Sequence, residues 1–101
     1  MDILDKINKL RTEFGWSVYK LAEETGITQS TLSNMFTRHS TPSLTTLSQI
    51  CQAFNITLSE FFNENNSDYS EEEKTLIYKY RKLNKRDKKI VVKLIDTIND
   101  N

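Results

Sequence analysis

Val18-Tyr19-Lys20-Leu21-Ala22-Glu23-Glu24-Thr25-Gly26-Ile27-Thr28-Gln29-Ser30-Thr31-Leu32-Ser33-Asn34-Met35-Phe36-Thr37 is the stretch on which the fold turns. Val18, Leu21, Ala22 and Thr25 recur at three- and one-residue steps that place them on one face of a short helix. Ser17 precedes that helix as a cap, Gly26 just beyond it tolerates a left-handed turn, and Thr28 caps the helix that follows. Two helices joined this closely cross tightly only when the crossing residue is small and the turn admits a left-handed backbone. Ala22 and Gly26 supply both.

Working outward, Ile3, Ile7, Leu10 and Phe14 form one stripe of an opening helix that stops near Gly15. Pro42-Ser43 starts a fourth helix with Leu44, Leu47, Ile50, Cys51 and Phe54 on its buried face, so Cys51 reads as core. Thr57 with Glu60 is a capping box for a short fifth helix bearing Leu58, Phe61 and Phe62. The polar, aperiodic run from Asn63 to Asp68 then marks a boundary. The expected organisation is a five-helix domain over residues 1–63, a linker over 64–69 and a helical pair over 70–101. Ser70 and Glu73 form a second capping box, ahead of Leu76, Ile77, Tyr80 and Leu83. Asn84 caps a last helix with Ile90, Val91, Leu94, Ile95 and Ile98.

Composition agrees with an all-α fold. Two Gly and one Pro are too few for a many-stranded sheet, and 37% hydrophobic residues exclude a disordered class. No apolar run approaches the ~20 residues of a membrane span, and Met1-Asp2-Ile3-Leu4-Asp5 lacks the basic opening of a signal peptide, so a cytoplasmic protein is expected, with no membrane partner. Cys51 is the sole cysteine and His39 the sole histidine, which leaves no disulfide and no zinc-ligand set; no metal and no cofactor are expected. A phosphate-cradling Gly loop and a nucleophile–base pair are also missing, so catalytic residues are not assigned and an enzyme is not expected.

The third helix can be tested by geometry, at about 100° of rotation per residue. With Gln29 at zero, Ser33 falls near 40°, Thr37 near 80°, Ser30 near 100° and Asn34 near 140°, while Leu32, Met35 and Phe36 fall roughly between 240° and 340°. One side packs. The other presents amides and hydroxyls, the groups that read base edges and reach phosphates, although a solvated face is the commoner fate of such residues on an arbitrary helix.

The spacing of Leu21, Ala22, Gly26, Ile27, Leu32 and Met35 resembles the helix-turn-helix of lambda-repressor-like and Cro-like (XRE-type) transcriptional regulators, and the resemblance extends from Ile7 to Phe62. It implies a five-helix lambda-repressor-like fold and a sequence-specific regulator, a repressor, reading the major groove of double-stranded DNA with the helix from Thr28 to Thr37. It further implies base contacts by Gln29, Ser30, Ser33 and Asn34, and phosphate or positioning contacts by Ser17, Lys20, Thr28, Thr37, Arg38 and His39. Three positions depart from the pattern. Val18 stands where many relatives have an anchoring Gln, and Phe36 stands opposite Arg11 where relatives pair Arg with Glu, which frees Arg11 for a phosphate. Arg38 stands where relatives carry Gly, so either the turn differs or Arg38 takes a left-handed conformation. Trp16 and Tyr19 are expected to pack rather than to stack on bases.

Charge complicates this picture, since 14 basic and 14 acidic residues cancel. Up to Asn66 the five basic residues Lys6, Lys9, Arg11, Lys20 and Arg38 face seven acidic ones, Asp2, Asp5, Glu13, Glu23, Glu24, Glu60 and Glu64, a net of −2. DNA-binding domains are usually basic. The alternative is therefore a helix-turn-helix used for protein interaction, such as an antitoxin or a regulator-binding protein. A single recognition helix covers only a short half-site, so a homodimer on a palindromic operator is expected, joined through Leu76, Ile77, Tyr80, Ile90, Val91, Leu94, Ile95 and Ile98. The competing use of that stripe is to fold back on the head of the same chain.

Overall fold

The computed structural model describes residues 2–63 and 69–100; apart from Tyr69, the linker expected over 64–69 lies outside the described residues. Among them are seven helices and no strand: α1 (Ile3–Phe14), α2 (Val18–Thr25), α3 (Gln29–Arg38), α4 (Leu44–Ala53), α5 (Leu58–Phe62), α6 (Glu71–Arg81) and α7 (Lys85–Asn99). None of these is long and apolar enough to cross a membrane.

Local chemistry sets the ends. Ser17 accepts from the N–H of Lys20, Thr28 from Thr31, Ser43 from Thr46 and Asn84 from Asp87, while Thr57–Glu60 and Ser70–Glu73 form reciprocal capping boxes. Each such cap stabilises its helix by about 1 kcal/mol. Three helices close through a left-handed residue followed by an amide that reaches back five positions: Trp16 to the Arg11 carbonyl (2.9 Å), Ser40 to Met35 (3.1 Å) and Ile56 to Cys51 (3.0 Å). The left-handed residues are Gly15, His39 and Asn55. Arg38 thus stays helical, and the position after it absorbs the turn, at φ 52° for His39. Histidine and asparagine enter this region more readily than most side chains.

The core lies in α1–α5 and the turn between α4 and α5. Ile7, Leu21, Leu32, Ile50 and Phe54 are fully buried, and Leu4, Leu10, Met35, Leu47, Cys51, Ile56 and Phe61 complete the cluster. Trp16 stacks on Phe54 at 4.9 Å between ring centres and Phe14 meets Phe54 edge-on at 4.9 Å, so Trp16 packs as expected. Burial pushes the Cys51 thiol up to about 11, which keeps it protonated and inert. Leu44 departs from the expectation, being 67% exposed. It sits in the first turn of α4, where the apolar stripe runs past the end of the core.

Neither α6 nor α7 contains a buried residue. α6 lies against α1, with half-buried Tyr78 packed on the head's core. Polar contacts fix it there. Thr75 Oγ1 donates to Glu13 Oε2 (2.5 Å), Arg81 Nη1 to the Asn55 carbonyl (3.1 Å) and Glu60 Oε1 (2.8 Å), and Lys82 Nζ to the Ala53 carbonyl (2.6 Å). The Lys82 ammonium also stands 3.8 Å from Glu24 and 5.3 Å over the Trp16 ring. Of the α6 residues expected between two copies, Leu76 is exposed, Ile77 is half-buried, and Tyr80 is half-buried with Lys88 5.4 Å from its ring.

Candidate nucleic-acid interface

α2 and α3 pack directly on one another. Leu21 anchors the first of them and Leu32 and Met35 anchor the second, which leaves the opposite side of α3 turned outward. Gln29, Ser30, Asn34 and Thr37 are exposed and Ser33 is half-buried. The face expected from the spacing is therefore the face that is open.

Availability separates its members. Thr28 Oγ1 caps α3 through the Thr31 N–H (3.2 Å), and lies 2.7 Å from Thr31 Oγ1 and 3.4 Å from Ser30 Oγ. Ser17 is likewise engaged as the cap of α2, at 3.0 Å from the Lys20 N–H. No bond among the described residues engages the side chains of Gln29, Ser33, Asn34 or Thr37. An amide carrying one acceptor and two donors on an open helix face can make the paired contacts that distinguish adenine, whereas a hydroxyl that accepts an N–H as a cap keeps a single O–H to donate and one lone pair, enough for a phosphate but not for a paired base contact.

Lys20 is exposed at the start of α2, and Arg38 and His39 are exposed where α3 ends. His39 holds the left-handed turn that closes α3. Two sequence expectations need correction here. Arg11 is not free for a phosphate: its Nη1 donates to the Trp16 carbonyl (2.7 Å) and its Nε to Asn8 (3.3 Å). The guanidinium satisfies a carbonyl of the α1–α2 turn instead. Tyr19 does not pack and is exposed, which adds a phenolic hydroxyl between Ser17 and Lys20. Its position one step past Val18, off the Val18–Leu21–Ala22 stripe, is the signal that could have found it.

The acidic balance of the head is partly offset from outside it. Glu24 meets Lys82 and Glu60 meets Arg81, both contributed by the segment after residue 69. The Arg81 bond first, and the Thr57 N–H after it, hold the Glu60 carboxyl below its ordinary range.

The sequence pattern of the family described as helix-turn-helix matches residues 7–61. An uncharacterized HTH-type transcriptional regulator of Bacillus subtilis (strain 168), YgzD, is similar to this chain, with 34% identity over 58 residues that cover 57% of the chain and 88% of YgzD. No solved structure matches.

Proposed function

Because the chain belongs to the helix-turn-helix family, we propose that it is a sequence-specific double-stranded DNA-binding transcriptional regulator, a cytoplasmic repressor that acts as a homodimer on a palindromic operator. The observation that carries this reading is the α3 face, on which Gln29 and Asn34 stand exposed and unengaged while Leu32 and Met35 lock the other side into the core. Inserted in the major groove, Gln29 and Asn34 each bond adenine through N6 and N7, and Ser30 and Ser33 reach neighbouring base edges. Ser17, Lys20, Thr28, Thr37, Arg38 and His39, joined by Tyr19, set the register on the phosphates. Residues 1–63 form the DNA-reading unit and 70–101 the dimerisation unit, with no residue assigned to catalysis.

Magnitudes shape the mechanism. Each head brings Lys20 and Arg38 as its fixed cations near the reading helix, so a dimer makes about four charged phosphate contacts and its affinity falls with a log–log salt slope of about −4. Non-specific affinity is correspondingly weak, and discrimination rests on the amides. The net charge of −2 up to Asn66 is the one observation favouring the protein-interaction alternative. Lys82 on Glu24 and Arg81 on Glu60 weaken it, since the second segment restores part of that balance. A gel-shift titration of the full chain against the duplex upstream of its own gene tests the reading: retardation that weakens with salt is expected, and no retardation by any native DNA at low salt would overturn it in favour of protein binding.

A further inference from the structure

α7 is patterned like a packed helix yet holds no buried residue. Ile90, Leu94 and Ile98, four residues apart, line one edge at 57%, 59% and 61% exposure, with Ile95 exposed beside them and Val91 half-buried. An apolar stripe this regular normally faces a partner. α6 turns back to the head, but the Ile90–Leu94–Ile98 edge stays open along its whole length.

Charge indicates what covers it. Residues 85–93 carry Lys85, Arg86, Lys88, Lys89 and Lys93 against Asp87, a net of +4, whereas residues 94–100 carry Asp96 and Asp100, a net of −2. Two copies of such a helix side by side in parallel would set the two +4 halves together. Reversing one of them lays each basic half along the partner's acidic half and opposes the two helix dipoles. The stripe has the matching symmetry, since positions 90 and 98 are equally distant from 94. In a two-fold contact every pair off the axis must occur twice, as Ile90–Ile98 does in this register.

We infer that a second copy of this chain docks on α7 in antiparallel orientation, with Leu94 at the two-fold axis and Ile90 of each copy against Ile98 of the other. The inference rests on the homodimer reading proposed above. In this arrangement Arg86 and Asp100, which share a flank of the helix, come together across the pair, and the two heads lie at opposite ends of it.

Full-length chain carrying Ile90→Cys is mixed with full-length chain carrying Ile98→Cys and oxidised mildly, alongside each variant alone and with wild-type sedimentation as the measure of dimer. Both positions are exposed, so the substitutions leave the core intact, and the native Cys51 is buried. The expected result is a covalent dimer in the mixture, formed at least several-fold more than in either variant alone. Covalent dimers from each variant alone, with no gain on mixing, would mean a parallel pair and overturn the inference. So would a sedimenting dimer that cross-links in none of the three samples, which places the contact elsewhere. Either result leaves the homodimer reading standing, whereas a wild-type chain that sediments as a monomer overturns both.

Discussion

The head and the last helix use the same kind of sequence to opposite ends. In α1–α5 the apolar stripes converge on Phe54 and Leu32 and leave no exposed remainder except at helix ends, such as Leu44. In α7 an equally regular stripe stays more than half exposed at Ile90, Leu94 and Ile98 among the described residues. Periodicity therefore marks a face that needs covering, but it does not say which molecule covers it. α6 stands between the two cases, docked through Tyr78 and a set of charged side chains rather than through its own apolar line.

The largest effect that could break this contrast is on stability. Leu32→Ala is expected to cost about 2–5 kcal/mol in urea unfolding, because Leu32 is fully buried between α3 and the core. Leu94→Ala, measured at a concentration where the chain is monomeric, is expected to stay within about 0.5 kcal/mol of wild type. Comparable losses at the two sites would mean that α7 has an intramolecular partner after all. Next in size is recognition: Gln29→Ala and Asn34→Ala should each remove about 1–3 kcal/mol of discrimination at particular base pairs while leaving the melting curve unchanged.

The head–α6 junction is the smallest of the three. Arg81 and Glu60 are both partly exposed, so Arg81→Ala should cost under about 1 kcal/mol. Its pH dependence has a definite sign. Glu60 titrates below its ordinary 4.5 in the folded chain, so its contribution is present in full above about pH 5 and fades as pH falls through the depressed value. Trp16, the sole tryptophan, lies beneath Lys82 and reports the loss as a fluorescence change below pH 4.5, and Arg81→Ala should flatten that change.

Much of the head was legible because its determinants are local. Ser17, Thr28, Ser43 and Thr57 cap the helices they precede, Gly15 and Gly26 take the left-handed turns, and the packed and open sides of α3 follow from spacing alone. What escaped is long-range. Nothing in the neighbourhood of Arg81 or Lys82 announces that they reach the Asn55 and Ala53 carbonyls, and Tyr78 lies off the α6 stripe that periodicity selects. Arg11 escaped for a related reason, since its partner is a backbone carbonyl that any residue at position 16 would provide. In the reading face the residue types and the capping hydroxyls were legible, but not the further contacts of Thr28 Oγ1 with Thr31 Oγ1 and Ser30 Oγ.

Selection of bound duplexes from random DNA, run in parallel with wild-type, Gln29→Ala and Asn34→Ala full-length chains, shows whether the α3 face reads bases. The expected result is a palindromic wild-type site with half-sites about one helical turn apart, adenine at defined positions, and a preference that relaxes at a different position in each variant. Enrichment of no sequence by the wild type, or identical sites for all three chains, would contradict it.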